Sequence, residues 1–337
     1  TFEDFYQVPD IKFDISKLKT DLEKILKKSK YQTLGITNFH AIPMNKVPGD
    51  DGSIDSTESI IRDSALNLNI DVTYIKSSKR IGKACMDNIL IQHARGKFIV
   101  WCDSDDYFID NVFKEIFEYL NEIEKNDIEL SGAIFQNIDE KLQSQSFYKN
   151  KIPPAKKIIN FDEMKYYLKG DATIFTKKEL IKKIHFQEVD FIISEGTELD
   201  RIFKNKFFLI SNKIVKIMNR DASDSVSFGK KMRFNRGMTY SMINYLNIDN
   251  LKSHSITQKI LDLTNLWRYS IHGDLSIKKI FKIWPLIAKK PYLVVFYLSG
   301  MILAIHDILL NKVEKTHLEF EKNKKNNKIS IIKLSEK

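Results

Sequence analysis

The sequence contains little cysteine: Cys85 and Cys102 are the only two among 337 residues. Two cysteines cannot build the disulfide framework of a small secreted protein, and their spacing does not match a metal site. A chain of this length can also bury a substantial core without covalent cross-links. We therefore expect a protein of a reducing compartment. No secretory signal pattern opens the sequence, and because it begins abruptly at Thr1 we expect its true start to lie upstream.

Acidic residues are in deficit, since 54 Lys and Arg face 44 Asp and Glu and give a net charge of +10. The sequence also has no internal repeat, and its 43% of hydrophobic residues indicate a globular protein. An anionic membrane face or a phosphate-bearing substrate would suit the positive charge, as would lysine-rich helix faces in contact with solvent. Basic residues interleaved with an aromatic stacking platform are not evident, so we expect no nucleic-acid partner.

Long hydrophobic runs are missing, with one exception. From Pro291 to Leu310 the one clear charge is Asp307, with His306 beside it. Twenty helical residues cover about 30 Å, the thickness of a bilayer core, and Lys289 and Lys290 precede the segment as basic residues flank cytoplasmic membrane ends. Because Asp307 falls inside the segment, three interpretations stay open: a packed core helix, a helix lying in the membrane plane, and a membrane span.

From about residue 49, segments of strand length alternate with segments of helical periodicity. The pattern predicts strands at 72–75 and 98–102, helices at 55–68, 82–93 and 112–123, and a mainly helical region from about Arg233. Such alternation favours a doubly wound α/β sheet, in which ligands bind at the carboxyl ends of the strands. We therefore expect the loops at 50–53 and 103–106 to lie on one edge of the sheet.

An acidic cluster follows the apolar run Phe98–Val100. Asp103, Asp105 and Asp106 place three carboxylates within four residues, and a protein interior does not tolerate unpaired charges. Carboxylate oxygens suit Mg²⁺ or Mn²⁺, which keep several waters and bridge to phosphate oxygens. The alternative is a helix N-cap with surplus acid.

A second acidic motif lies upstream at 50–57. It begins with Asp50 and Asp51, and a carboxylate at a strand end can accept a hydrogen bond from a uracil imide or a ribose hydroxyl. The alternative is capping of the next helix by Ser53 or Asp55, which needs no ligand.

A basic turn precedes the next predicted helix. Lys79 and Arg80 stand just before Gly82, and a basic pair before a glycine at a helix start suits a diphosphate. A solvated basic turn is the alternative.

In combination, these motifs resemble the nucleotide-sugar half of family 2 glycosyltransferases with the GT-A fold. The family pattern is Asp-Asp-Gly-Ser-x-Asp-x-Thr, a basic-x-Gly helix start with a downstream Asn, an Ala-x-Gly-x-(Tyr/Phe)-Ile turn, and Asp-Ser-Asp-Asp. The matching segments, which occur in this order at the family spacing, are Asp50–Thr57, Arg80–Asn88, Ala94–Ile99 and Asp103–Asp106. The resemblance implies a Rossmann-like, doubly wound mixed sheet over about 49–230 and a helical C-terminal region at 231–337.

The resemblance also implies roles for individual residues. The metal site would hold Mn²⁺ or Mg²⁺ at the donor diphosphate through Asp103 and Asp105. The residues implied to bind the nucleotide sugar are Asp50, Asp51, Ser53, Arg80, Gly82 and Asp103.

The family base for the acceptor hydroxyl lies in a later acidic pair at a helix start, followed by an arginine. The matching region here is 194–201, where Gly196 stands in place of the usual Asp. Glu195 or Glu198 would then serve as the base. The departure leaves a catalytically impaired nucleotide-sugar-binding protein as the alternative.

Residues 1–48 do not match the opening strand of the family. Residues 1–50 faintly resemble the leading segment of aspartyl-hydroxylase-like oxygenases. An iron oxygenase would need a His-x-Asp triplet in a strand context, and the candidate triplet, His272-Gly273-Asp274, lies between helical segments.

The resemblance implies an inverting, metal-dependent transfer from a nucleoside-diphosphate sugar to a glycan or lipid-linked acceptor, as in polysaccharide or lipopolysaccharide biosynthesis. With the lysine-rich helices and the 291–310 segment, we expect a cytoplasmic protein that lies peripherally on the inner, anionic face of the membrane.

Overall fold

The computed structural model describes residues 45–67, 71–125, 129–139, 153, 156–168, 170–189, 191, 193–218, 235–248, 256–284, 287, 291–313 and 327–334. Residues 1–44, which make up most of the N-terminal segment 1–48 with its oxygenase-like similarity, therefore lie outside the described residues. The predicted boundary near residue 230 lies outside them as well.

The described strands and helices alternate up to residue 218 and become mainly helical from residue 235. The strands are β1 (Asn45–Lys46), β2 (Gly49–Asp50), β3 (Asp71–Ser77), β4 (Phe98–Ile99), β5 (Tyr107–Phe108), β6 (Leu130–Asp139), β7 (Lys157–Asn160), β8 (Thr173–Lys177), β9 (Phe207–Met218) and β10 (Ile329–Leu334). The helices are α1 (Thr57–Asn67), α2 (Lys83–His93), α3 (Val112–Lys125), α4 (Phe161–Tyr167), α5 (Lys178–Ile181), α6 (Gly196–Phe203), α7 (Asn235–Ile248), α8 (Ile256–His272), α9 (Ile277–Ile283) and α10 (Phe296–Leu309), which a 3₁₀ turn at Pro291–Val295 precedes.

The first sheet is built around β3. This strand pairs in parallel with β1 and β2 and antiparallel with β10, so that Ile75 lies opposite Gly49 on one side and Ile331 on the other. Tyr74 and Ile75 are completely buried, as expected for a strand with neighbours on both sides. The last described strand of the chain thus returns to the segment that carries the first acidic motif.

The second sheet has the order β4-β8-β6-β9-β5, with β7 also paired to β9. Strands β6 and β9 are parallel, whereas β4, β5 and β7 pair antiparallel with their neighbours. The predicted mixed α/β fold is confirmed. The antiparallel pairs were not evident from the alternation, because the partners of β4 and β5 are supplied by residues 173–218, far along the chain.

One helix shows how the sheet is covered. Helix α3 buries Val112, Ile116, Tyr119, Leu120 and Ile123, which are spaced by three and four residues and therefore form one stripe. This stripe packs in one apolar cluster with residues of β6, β8 and β9. The packing fixes the loop between β4 and β5, which carries the acidic cluster, against the sheet edge.

The predicted helical C-terminal region is confirmed. Helix α8 packs on α10, and the two approach so closely that a Cβ on Gly300 would lie 2.5 Å from Cβ of Trp267. Asp307, which the sequence placed inside a membrane-like segment, is buried here and accepts hydrogen bonds from Arg268 (2.5 and 2.6 Å) and from His272 (3.0 Å). Within the described residues, no helix has the length and hydropathy needed to cross a membrane.

Candidate active site

The loop after β2 is held together by Asp50. Its carboxylate is buried and accepts hydrogen bonds from the Tyr74 hydroxyl (2.5 Å) and from the backbone N–H of Ser53 (2.7 Å). Burial and the neighbouring carboxylate raise the pKa of Tyr74, so the hydroxyl stays a donor. Both oxygens of Asp50 therefore serve the loop itself, and the half-buried Ser53 lies at the turn that they fix.

Asp51 joins the first motif to the basic turn. Its two carboxylate oxygens accept hydrogen bonds from the backbone N–H groups of Ile81 (2.6 Å) and Gly82 (2.9 Å). Burial raises the pKa of Asp51, although the two N–H donors oppose this change. Gly52 allows the close approach, because its φ is +81° and a Cβ there would lie 2.6 Å from the carbonyl carbon of Lys79. The exposed Arg80 is thereby held beside the loop.

Lys83, in the first turn of α2, lies among three carboxylates. Its Nζ is 3.1 Å from Oδ2 of Asp87, 3.3 Å from Oε1 of Glu195 and 3.6 Å from Oδ1 of Asp103. Crowding by protein atoms lowers the pKa of Lys83, but the three negative charges raise it by more, so the ammonium stays charged. The residues Lys83, Asp87, Asp103 and Glu195 are called the Lys83 cluster below.

The acidic cluster at 103–106 contains two carboxylates that reach solvent and one that is buried. Asp103 is exposed and Asp105 half-buried, whereas Asp106 is buried and accepts a hydrogen bond from Lys216 of β9 at 2.5 Å. The backbone N–H of Asp106 donates to the carbonyl of Asp103 at 3.0 Å and closes the turn. The turn thus presents Asp103 and Asp105 outward and uses Asp106 to attach itself to the sheet.

Asp103 and Asp105 fit a hard divalent cation. Mg²⁺ is usually bound by one or two carboxylates together with phosphate oxygens and waters, and these two side chains supply that number. Across the described part of the chain, no group of three or more His, Cys, Asp or Glu side chains could hold a metal. Any cation here would therefore take its remaining ligands from substrate and water.

The two predicted base candidates differ in surroundings. Glu195, directly before α6, has no capping hydrogen bond and contacts Lys83, which links it to Asp103. Glu198, one turn on, forms an ion pair with Arg201 at 2.7 Å. The structure therefore brings Glu195 into the group that contains Asp103 and pairs Glu198 with a different cation.

Gly196 lies in open surroundings. Among the described residues, a Cβ at this position would contact Oγ of Ser194 at 3.4 Å, an ordinary van der Waals distance. The first carbon of a side chain, such as that of the usual family aspartate, therefore has room here.

Two residues of α2 have positions that sequence reasoning did not assign. Lys83 and Asp87 are four residues apart on one helix face, which was the available signal for their pairing. Asn88 was assigned only as a motif residue; its side-chain amide exchanges two hydrogen bonds with the backbone of Phe186, at 2.8 and 2.9 Å. Asn88 thereby attaches α2 to the segment that leads toward Glu195.

The triplet His272-Gly273-Asp274, considered above for an iron oxygenase, lies at the end of α8 and in the turn after it. His272 is buried and hydrogen-bonded to Asp307, and Asp274, which adopts a positive φ of 53°, lies in the turn after α8. No strand lies beside them in the described region from 256 to 284.

Comparison with known proteins gives a consistent family. The model of the family described as Glycosyl transferase family 2 matches residues 47–184. The minor teichoic acid biosynthesis protein GgaB of Bacillus subtilis (strain 168) is 26% identical over 257 residues, which are 74% of this chain and 27% of the relative. The glycosyltransferase GlyG of Streptococcus pneumoniae serotype 4 is 27% identical over 174 residues, which are 49% of this chain and 56% of the relative.

Two crystal structures of Staphylococcus aureus TarS were also found. The structure of residues 1–349 is 17% identical, has a TM-score of 0.43, and covers 79% of this chain and 73% of that one. The second structure is 18% identical with a TM-score of 0.44 and covers 70% of this chain and 39% of that one.

The chain spans about a quarter and about half of the length of the two curated relatives. The family match begins at residue 47, directly after β1, and includes the two acidic motifs, the basic turn and α2. Residues 47–184 therefore carry a family 2 glycosyltransferase domain.

Proposed function

We propose that this protein transfers a sugar from a nucleoside-diphosphate donor to the hydroxyl of a glycan or lipid-linked acceptor. The observation that carries the proposal is the Lys83 cluster, in which one ammonium contacts Asp103 of the donor motif and the base candidate Glu195. A transferase needs its base close to the reacting end of the donor, because proximity and orientation supply a large part of the rate.

The nucleotide sugar would bind along the edge formed by the three motifs. Asp51 and its two backbone partners support the turn that carries Arg80 and Gly82, and a positive side chain there suits a diphosphate. Asp50 and Ser53 would act mainly by shaping the loop, since Asp50 is already hydrogen-bonded on both oxygens. Asp103 would contact the ribose or the cation.

Family 2 enzymes generally use a divalent metal ion. We propose that Asp103 and Asp105 hold Mn²⁺ or Mg²⁺ together with the diphosphate oxygens. The ion would offset the negative charge of the departing nucleoside diphosphate.

The transfer step would follow from the position of Glu195. Its carboxylate would accept the proton of the acceptor hydroxyl while that oxygen attacks the anomeric carbon, and the nucleoside diphosphate would leave from the opposite side. A single displacement inverts the anomeric centre. Lys83 would keep the Glu195 carboxylate in place, because the ion pair restricts a side chain that has no capping bond.

The acceptor is proposed from the relatives and from charge. The Bacillus subtilis relative is named for minor teichoic acid biosynthesis, and a net charge of +10 suits an anionic glycan or a lipid-linked precursor. We therefore propose a teichoic-acid-type acceptor at the inner face of the cell membrane. Neither of the two curated relatives is named for lipopolysaccharide biosynthesis.

A second candidate function rests on Gly196. If neither Glu195 nor Glu198 acts as base, the chain would bind nucleotide sugars without turnover. The space for a Cβ at Gly196 makes this alternative testable, since the family Asp can be restored by one substitution.

The test is donor turnover by the purified chain with Mn²⁺ or Mg²⁺ and a panel of nucleotide sugars, followed by release of nucleoside diphosphate. We expect turnover of one donor, loss of turnover with a chelator, and a higher metal requirement in Asp105→Asn. Asp110→Asn, an exposed carboxylate on the following loop, is the matched control. Donor binding without turnover in the presence of acceptor would favour the binding protein.

A further inference from the structure

Helix α10 is apolar on two opposite sides. One side packs on α8 through Gly300, Ala304 and the ion-paired Asp307, which are spaced by four and three residues and are all buried. The contact is tight, because a Cβ at Gly300 would lie within 3 Å of three atoms of α8. This side is a normal core interface.

The other side of the same helix is exposed. Val295, at the end of the 3₁₀ turn, is 69% exposed, and Leu298, Ile302, Ile305 and Leu309 of α10 are 60%, 64%, 50% and 77% exposed. Their spacing of three, four, three and four residues puts them in one stripe. A globular protein rarely leaves an apolar stripe of five large side chains in water, and such a stripe marks an interaction site. These five residues are called the α10 stripe.

The segment that contains the stripe is rich in lysine. Residues 275–313 contain six lysines and a single acidic residue, Asp307. Because Asp307 is buried between Arg268 and His272, it does not balance those lysines at the surface. Among the lysines whose exposure is described, all lie at the surface: Lys278, Lys279, Lys282 and Lys312.

The basic helix and the stripe belong to one packed unit. Helix α9, which carries three of these lysines, buries Ile280 in the same apolar cluster as Leu293, and Phe296 and Tyr297 pack against that cluster from α10. Lys312 follows directly after the end of α10. Apolar side chains flanked by lysines are the composition of a helix that lies in a membrane interface.

We propose that the α10 stripe lies in the plane of an anionic lipid membrane, with the lysines of 278–312 on the lipid headgroups. A second copy of this chain is a poorer occupant, since it would bring another uncompensated set of lysines against the first. The 14 residues of α10 cover about 21 Å, which suits a helix in the interface rather than across it. The inference adds to the proposed function the surface on which the transfer would take place. Membrane binding itself does not depend on the proposed function, whereas a membrane-linked acceptor does.

The experiment is cosedimentation of the purified chain with two kinds of vesicle, one of phosphatidylcholine alone and one that also contains 30% phosphatidylglycerol. Donor and acceptor are left out, and donor turnover is measured in a separate assay. Leu298→Ser with Ile302→Ser removes apolar area from the stripe. Tyr166→Ser with Ile331→Ser, two exposed apolar residues elsewhere, is the matched control. Lys278→Gln, Lys279→Gln and Lys282→Gln are compared with the exposed trio Lys114→Gln, Lys125→Gln and Lys182→Gln.

We expect binding to the phosphatidylglycerol vesicles, at least a tenfold lower partition coefficient in the stripe variant, and weaker, less salt-sensitive binding in the α9 lysine variant. Both controls should bind as the parent does. Equal binding to neutral vesicles, no binding to either vesicle, or unchanged binding in the stripe variant would overturn the inference. So would a stripe variant that turns an oligomer into a monomer. If any of these outcomes is found while the protein still transfers sugar to a soluble acceptor, the membrane inference is wrong and the proposed transferase activity stands.

Discussion

The ammonium nitrogen of Lys83 lies 3.3 Å from Oε1 of Glu195, on a segment far along the chain. The same nitrogen contacts Asp87 and Asp103, so one cation links the start of α2, the acidic turn and the start of α6. Lysine and its three partners carry a net negative charge, which suits a site that also receives a divalent cation. This relationship leads to the first prediction.

Replacing Lys83 by Met should lower kcat by roughly tenfold or more with a smaller change in the donor KM, because the side chain positions the base. Lys83→Arg should recover part of kcat, since a guanidinium can keep the charge and the contacts. Steady-state kinetics measures both. The control is Lys97→Met, which breaks an exposed ion pair with Glu124. A loss confined to KM would assign Lys83 to donor binding instead.

Glu195→Gln should reduce kcat by about 10²- to 10⁴-fold, the usual contribution of a general base. Glu198→Gln should reduce it much less, because Glu198 is paired with Arg201 rather than with the Lys83 cluster. Single-turnover measurements with saturating donor separate this step from binding. If neither variant changes transfer, the base assignment is wrong. A larger loss in Glu198→Gln than in Glu195→Gln would instead identify Glu198 as the base.

Gly196→Asp should stabilise the fold by about 0.5–1 kcal/mol, since it adds an acid to the first turn of α6 and restricts the unfolded chain. The structure leaves room for it, with Oγ of Ser194 at 3.4 Å as the one neighbour. Thermal unfolding checks the stability, and donor turnover shows whether the restored carboxylate increases transfer. Gly52→Ala is the opposite case and should destabilise the fold and weaken donor binding, because its φ is positive and its Cβ would meet backbone.

Asp307→Asn should lower the free energy of unfolding of the helical region by about 3 kcal/mol at neutral pH, because it leaves Arg268 partly unpaired next to a buried amide. Burial raises the pKa of Asp307, but the hydrogen bonds from Arg268 and His272 lower it by more, so the folded value lies below the ordinary one.

The sign of the pH dependence follows from that shift. A lowered carboxyl pKa gives stability that is complete above about pH 4 and is lost as the pH falls further. Urea unfolding of the parent and of Asp307→Asn should therefore differ most at pH 6–7, and the difference should shrink as the pH falls below about 4. Asp110→Asn, at an exposed position, should match the parent throughout. A difference that grows toward low pH would contradict the assignment.

Local patterns in the sequence predicted much of the family domain. Helix α3 was predicted at 112–123 and spans Val112–Lys125, because its apolar stripe repeats within a few turns. Strand β3 was predicted at 72–75 and spans Asp71–Ser77. The expectation that the loops at 50–53 and 103–106 share one edge of a single sheet was wrong, because β2 pairs with β3 in the first sheet whereas β4 pairs antiparallel with β8 in the second.

The sequence by itself determined the family resemblance of the domain at 47–184, the order of its motifs and the apolar character of 291–310, because each depends on short local patterns. Only the tertiary structure decided that Asp50 and Asp106 face inward to Tyr74 and Lys216, that Lys83 joins Glu195 to Asp103, and that Asp307 faces α8. These pairings join segments distant in sequence. Their distances are set by the packing of sheets and helices, which no local pattern encodes.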